Sequence, residues 1–128
     1  MAKVTERLRW SVVVVDLDPV EGHEQAGRRR ALVVSYEPFH ASGLVTLCPI
    51  TASRVAARYP GDVAIAVGNA GQTRPGVIVC SQVRTISTRR IHGRPLGFVT
   101  DIPTRAAVRE ALTHHLGLDV PAVLDGAA

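Results

Sequence analysis

Apolar residues in this 128-residue chain come in short β-branched bursts cut off by glycine and proline, and only one stretch repeats at a helical period. A burst of that length, with turn chemistry at each end, suits a strand and is too short for a stable helix. The first, Ser11–Leu17, carries four consecutive valines and breaks at Asp18-Pro19. A polar loop over Val20–Arg29 follows, with Gly22 and Gly27 as its flexible points. Ala31–Ser35 predicts a second strand, ended by Glu37-Pro38, and Gly43–Ile50 a third that stops around Thr51. The segment Ala52–Tyr59 is polar and reads as a loop or a single helical turn. Asp62–Val67 predicts a fourth strand and Asn69–Pro75 a turn. Val77–Cys80 and Gln82–Ile86 follow as strands, then a helical turn over Ser87–Ile91 and a last short strand over Gly97–Thr100.

The helical stretch is about Thr104–Leu116, where Ala107, Val108, Ala111, Leu112 and Leu116 share one face. Asp101 or Thr104 can cap its start and Gly117 can end it. His114 and His115 fall in the last turn, where the helix dipole favours a partly charged imidazole, a structural role. Closely spaced short strands with one terminal helix predict a mostly β fold, a small and strongly bent barrel. The length corresponds to one domain over residues 1–128, with a core near 9–117 and loose termini. At 46% hydrophobic and 20% charged, the composition excludes a disordered chain. The run Val12–Val15 is too short for a membrane span or a secretory signal, which points to the cytoplasm. Cys48 and Cys80 both sit in apolar runs and are expected as small buried hydrophobes rather than a disulfide framework.

Charge is unevenly distributed. Fourteen of the 15 basic residues are arginines, and ten of those lie between Arg28 and Arg94, with only Glu37 and Asp62 opposing them. That middle stretch sums to +8, whereas residues 1–27 and 95–128 each sum to −2, giving the net +4. Guanidinium forks match phosphate geometry, so an anionic polymer is a natural partner; the competing explanation is a genome that writes Arg for Lys. No metal or cofactor is expected. His23, His40, His92 and the His114–His115 pair lack ligand spacing, and there is no phosphate-binding glycine loop and no nucleophile elbow.

The string from Val15 to Ser35, with Glu24-Gln25, Gly27 and the Arg28-Arg29-Arg30 run ahead of an apolar strand, resembles the opening of the MazF/PemK toxins. Two further blocks occur in the family's order: Cys48-Pro49-Ile50-Thr51 with Ser53, and Gly76–Ser87 with its Gln82-Val83-Arg84-Thr85-Ile86 core. The resemblance covers roughly residues 9–117. It implies an SH3-like barrel, a homodimer, and an endoribonuclease toxin. Such an enzyme cleaves single-stranded RNA without a metal, leaves a 2′,3′-cyclic phosphate and a 5′-hydroxyl, and is neutralised by a cognate antitoxin. The family's catalytic arginine falls on Arg29 and its catalytic threonine on Thr51. A guanidinium can bind the charge that builds on a phosphorane, and a hydroxyl can donate to a phosphate oxygen.

Neither is an obvious general base; Glu24 is a candidate for that role. The same resemblance marks His23, Gln25, Arg28, Ser53, Gln82 and Arg84 as candidate RNA-binding residues. Arg84 can equally be part of a polar strand face, and His23, where the family has serine, can contact a base, add an acid-base group, or simply occupy a loop. Arg30 replaces the family's proline, and proline there is expected to leave activity intact or improve it. Trp10-Ser11 stands where the family often has glycine and an acid, leaving Trp10 either to stack on a base or to join the core. Two other readings stay open at this point: a non-enzymatic CcdB-like gyrase poison, and an RNA-binding barrel without catalysis.

Overall fold

The computed structural model describes residues 6–18, 21–24 and 26–126; Pro19, Val20 and Gln25, named above, lie outside this set. Seven strands form one antiparallel sheet: β1 Ser11–Asp16, β2 Arg28–Val33, β3 Leu44–Thr51, β4 Asp62–Ile65, β5 Gly76–Val79, β6 Arg84–Ser87 and β7 Ile91–Phe98. The order is β4-β5-β3-β2-β1-β7, with β6 also paired to β3. β3 has two partners along one edge, β6 against Leu44–Leu47 and β5 against Ile50–Thr51. A 3₁₀ turn at Cys80–Gln82 lets the chain bend between them. The sheet curls strongly without closing its hydrogen-bond ladder.

Alternation divides the core between the two faces of that sheet. Val13, Val15, Leu17, Ala31, Val33, Val45, Leu47, Ile86 and Ile91 fill the inside of the curl, joined by Leu8. Val12, Leu32, Cys48, Ile50, Val63, Ile65, Ile78 and Cys80 face the other way, where Trp10 and the helix α1, Ile102–Leu116, cover them. Both cysteines are free and fully buried, as their apolar surroundings indicate. Trp10 is core.

The helix is capped as its sequence suggests. The Asp101 carboxylate accepts from the Thr104 N–H at 3.0 Å, and Gly117 adopts φ 65° at the C-terminal end. Val108 and Ala111 are buried, whereas Leu116, assigned by its spacing to the apolar face, is 56% exposed. The Asn69–Gly71 turn bridges the open side of the curl. A Cβ on Gly97 would lie 2.4 Å from the Ala70 carbonyl carbon, and one on Gly71 would lie 2.2 Å from the Leu96 carbonyl oxygen. Backbone meets backbone there, and only glycine permits it.

Several boundaries differ from the sequence reading. β2 begins at Arg28, so all three consecutive arginines are strand residues rather than loop, because β1 offers them a ladder down to Asp16. β7 starts at Ile91, well before Gly97, since Ile91 and His92 pair with Val15 and Val14 beyond a register shift that falls between Val12 and Val14. β6 begins two residues later than Gln82, which belongs to the 3₁₀ turn. A 3₁₀ segment over Glu37–Ser42 carries no apolar period and was not expected; buried His40 anchors it, bonded to Glu37 at 3.0 Å and Ser35 at 2.6 Å.

Candidate active site

Three strands end together at one rim of the curl, and the pleat selects which side chains reach it. Arg30 pairs with Ile50 across β2 and β3. One step along the same antiparallel register, Arg29 and Thr51 fall opposite each other, on the face that carries Ala31, Val33 and Leu47. Arg84, opposite Leu47 on β6, lies on that face too. Arg29 is half-buried, and its Nε donates to the Ala26 carbonyl at 2.9 Å. No other hydrogen bond of its guanidinium occurs among the described residues, so the end of the fork is open to an anion.

Thr51 is 3% exposed, and its hydroxyl is fixed. Its Oγ1 accepts from the Ser53 N–H at 3.2 Å and lies 2.8 Å from the Ser53 hydroxyl. When the Ser53 hydroxyl is the donor in that contact, the Thr51 proton is free for a third oxygen. The chain that follows is tied down by Asp62, which accepts from Arg58 and Tyr59 N–H groups at 3.0 Å and pairs with Arg54. Burial pushes the Asp62 carboxyl up, but the Arg54 bond and the two backbone donors outweigh it and hold the group below its ordinary value.

Glu24, Gln82 and Arg84 share a cavity of about 200 Å³ with Leu17, Pro49, Ser81 and Val83. Glu24 Oε1 accepts from the Glu21 N–H at 2.8 Å, closing a turn at the loop tip. Gln82 Nε2 donates to the His23 carbonyl at 3.2 Å and Arg84 Nη1 to the Leu17 carbonyl at 3.2 Å. Gln82 and Arg84 therefore line the recess and also hold the loop after β1 in place. The His23 side chain is exposed. Arg28 shares the parity of Arg30, so it is directed to the opposite face of β2 from Arg29.

Two contributions had little or no sequence signal. Arg90 Nη1 donates to the Asp18 carbonyl at 3.1 Å, a further tie on the same loop. Arg30 bonds Gln72 Oε1 at 2.6 Å and the carbonyls of Arg74 and Pro75 at 3.2 and 3.4 Å. Burial first, and the Arg74 charge second, lower its pKa. This revises the expectation for proline at this position: Arg30→Pro would remove the bonds that seat the 72–75 loop. A larger cavity of about 680 Å³, between α1 and the 57–64 segment, includes none of the expected site residues. No group of three or more His, Cys, Asp or Glu side chains able to hold a metal occurs among the described residues.

A curled antiparallel sheet with one terminal helix, and an arginine and a threonine on one face at its rim, defines a class of small basic β proteins. Residues 8–116 match the family described as PemK-like, MazF-like toxins of type II toxin–antitoxin systems, and the chain belongs to that family. It is 34% identical over 113 residues to the endoribonuclease toxin ChpB of Escherichia coli, covering 88% of this chain and 93% of that protein. The crystal structure of MazF from Deinococcus radiodurans superposes with a TM-score of 0.71 at 32% identity, over 85% of this chain and 94% of that one. A mycobacterial endoribonuclease solved in complex with its cognate antitoxin superposes with a TM-score of 0.71 at 25% identity, over 91% and 100% of the two chains.

Proposed function

We propose that this protein is a cytoplasmic endoribonuclease toxin, a single domain that cuts single-stranded RNA by attack of the substrate's own 2′-hydroxyl. The observation that carries this reading is the placement of Arg29 and Thr51 on one face of adjacent strands, within a chain of the PemK/MazF family. In the proposed step the 2′-oxygen attacks phosphorus and its proton passes to the Glu24 carboxylate. The bond from phosphorus to the 5′-oxygen breaks, and that oxygen leaves with a proton taken from solvent. Arg29 meets the charge that develops on the phosphorane, and Thr51 donates to one of its oxygens. The products are a 2′,3′-cyclic phosphate and a 5′-hydroxyl, and no metal takes part.

His23, Gln25, Ser53, Gln82 and Arg84 are proposed to contact the strand on either side of the cut. Duplex RNA should resist, because its bases are stacked and paired. An acidic antitoxin is the proposed partner for the same basic surface, and a second copy of the chain for exposed apolar residues such as Ile102, Leu116 and Leu118. No helix among the described residues is long and apolar enough to cross a membrane. Incubation of the pure protein with single-stranded RNA in EDTA should yield discrete fragments bearing cyclic phosphates. Intact RNA would reject the enzyme reading in favour of a binding barrel or a gyrase poison.

A further inference from the structure

Behind Arg29, on the other side of β2, a second cluster of arginines has no counter-charge. A cavity of about 190 Å³ is lined by Arg28, Arg29, Arg30 and Arg74 together with apolar Val14 and Ile50, and no acidic side chain lines it. Asp16, opposite Arg28 on β1, turns Oδ1 to the Asp18 N–H at 3.1 Å and forms no ion pair among the described residues. Arg28 and Arg74 are exposed, and neither guanidinium makes a hydrogen bond within the described residues. Arg30 is held by Gln72 and by the Arg74 and Pro75 carbonyls, so it cannot swing away from its neighbours.

Like charges that line one small recess are unfavourable unless an anion sits between them; burial is the larger cause that lowers the Arg30 pKa, and the Arg74 charge adds to it. A small recess lined by four arginines suits a group with several charged oxygens and fixed geometry. Arg29 borders both this recess and the rim that holds Thr51, so an anion here would be a neighbour of the group acted on there.

We infer that the recess holds a phosphodiester flanking the scissile one, so that the RNA strand is gripped at neighbouring phosphates across β2. The inference rests on the ribonuclease reading and adds Arg74 as an affinity-determining residue. Arg74 is the residue to test, because its side chain is exposed and does not form the seat of its own loop.

The test uses the full-length protein and a single-stranded RNA that it cuts, made uncleavable by one deoxyribose at the cut. Arg74→Gln should raise Kd about tenfold near 0.1 M salt and lower the slope of log Kd against log salt by about 0.7, the value for one neutralised phosphate on a single strand. Arg74→Lys should recover most of the slope. The single-turnover rate at saturating cleavable RNA should stay within about twofold. Wild-type protein that cuts RNA, with Arg74→Gln matching it in Kd and slope, overturns the recess alone. Wild-type protein that neither binds nor cuts RNA overturns the ribonuclease reading and the recess with it. Loss of antitoxin binding with RNA binding intact would also overturn it, by assigning the recess to carboxylates.

Discussion

Arg30 stands on the last rung of the β2–β3 ladder, Arg29 and Thr51 fall one step beyond it, and the pleat separates their directions. Arg30 is directed into the 72–75 loop and becomes a structural residue, while Arg29 and Thr51 share the face that opens at the rim. Arg29→Ala should therefore lower the single-turnover cleavage rate by about 10²–10³ while RNA affinity falls far less, because the lost interaction belongs mainly to the transition state. Thr51→Ala should behave similarly. An active Arg29→Ala beside an inactive Arg30→Ala would shift the site assignment by one residue. Trp10 presents another residue-scale balance. It adopts φ 69°, a left-handed conformation that suits glycine, yet its ring is buried beside Arg9 and Arg105. Trp10→Gly would relieve about 1–2 kcal/mol of backbone cost but lose about 3–5 kcal/mol of packing. Chemical denaturation should show a clear net loss of stability; a more stable variant would mean that strain outweighs packing.

Loops at both ends of the β2–β3 hairpin are held by single polar side chains. Asp62 fixes the segment after Thr51, and Glu37 accepts from the Leu8 and Arg9 N–H groups at 3.0 and 2.9 Å. Burial raises both carboxyls, but hydrogen bonds to the charged forms prevail, leaving Asp62 below its ordinary 3.8 and Glu37 below 4.5. A depressed carboxyl stabilises the fold fully above its unfolded value and loses that effect as pH falls through the folded one. Thermal stability should hold steady at neutral pH and drop below about pH 4. Asp62→Asn should cost about 1–3 kcal/mol at pH 7, with a shallower acid decline; an unchanged melting temperature at pH 7 would contradict this role. These ties also explain what the sequence left hidden. The valine run, the Asp101 cap and the 3.6-residue period announce β1 and α1 because burial and capping leave local patterns. The Arg28-Arg29-Arg30 start of β2 does not, because its pairing with β1 is the non-local contact that makes those polar residues a strand. The Arg30–Gln72 bond joins residues 42 apart, and no local pattern signals it.

Across the whole molecule, five of the ten arginines in the basic middle of the sequence line two cavities near the start of β2. Arg28, Arg29, Arg30 and Arg74 line one cavity, and Arg84 lines a second on the inner side of the curl. The fold thus concentrates a modest net charge where two loops and three strand ends meet, which suits a chain-like polyanion better than a compact ligand. The central claim is that the substrate supplies its own nucleophile to a site made of Arg29 and Thr51. The most direct test compares two otherwise identical single-stranded RNAs, one carrying a single deoxyribose on the 5′ side of the mapped cut. The all-ribose strand should be cut there to a cyclic phosphate, and the substituted strand should stay intact at that position while still binding. Cleavage of the substituted strand at the same bond would contradict the account.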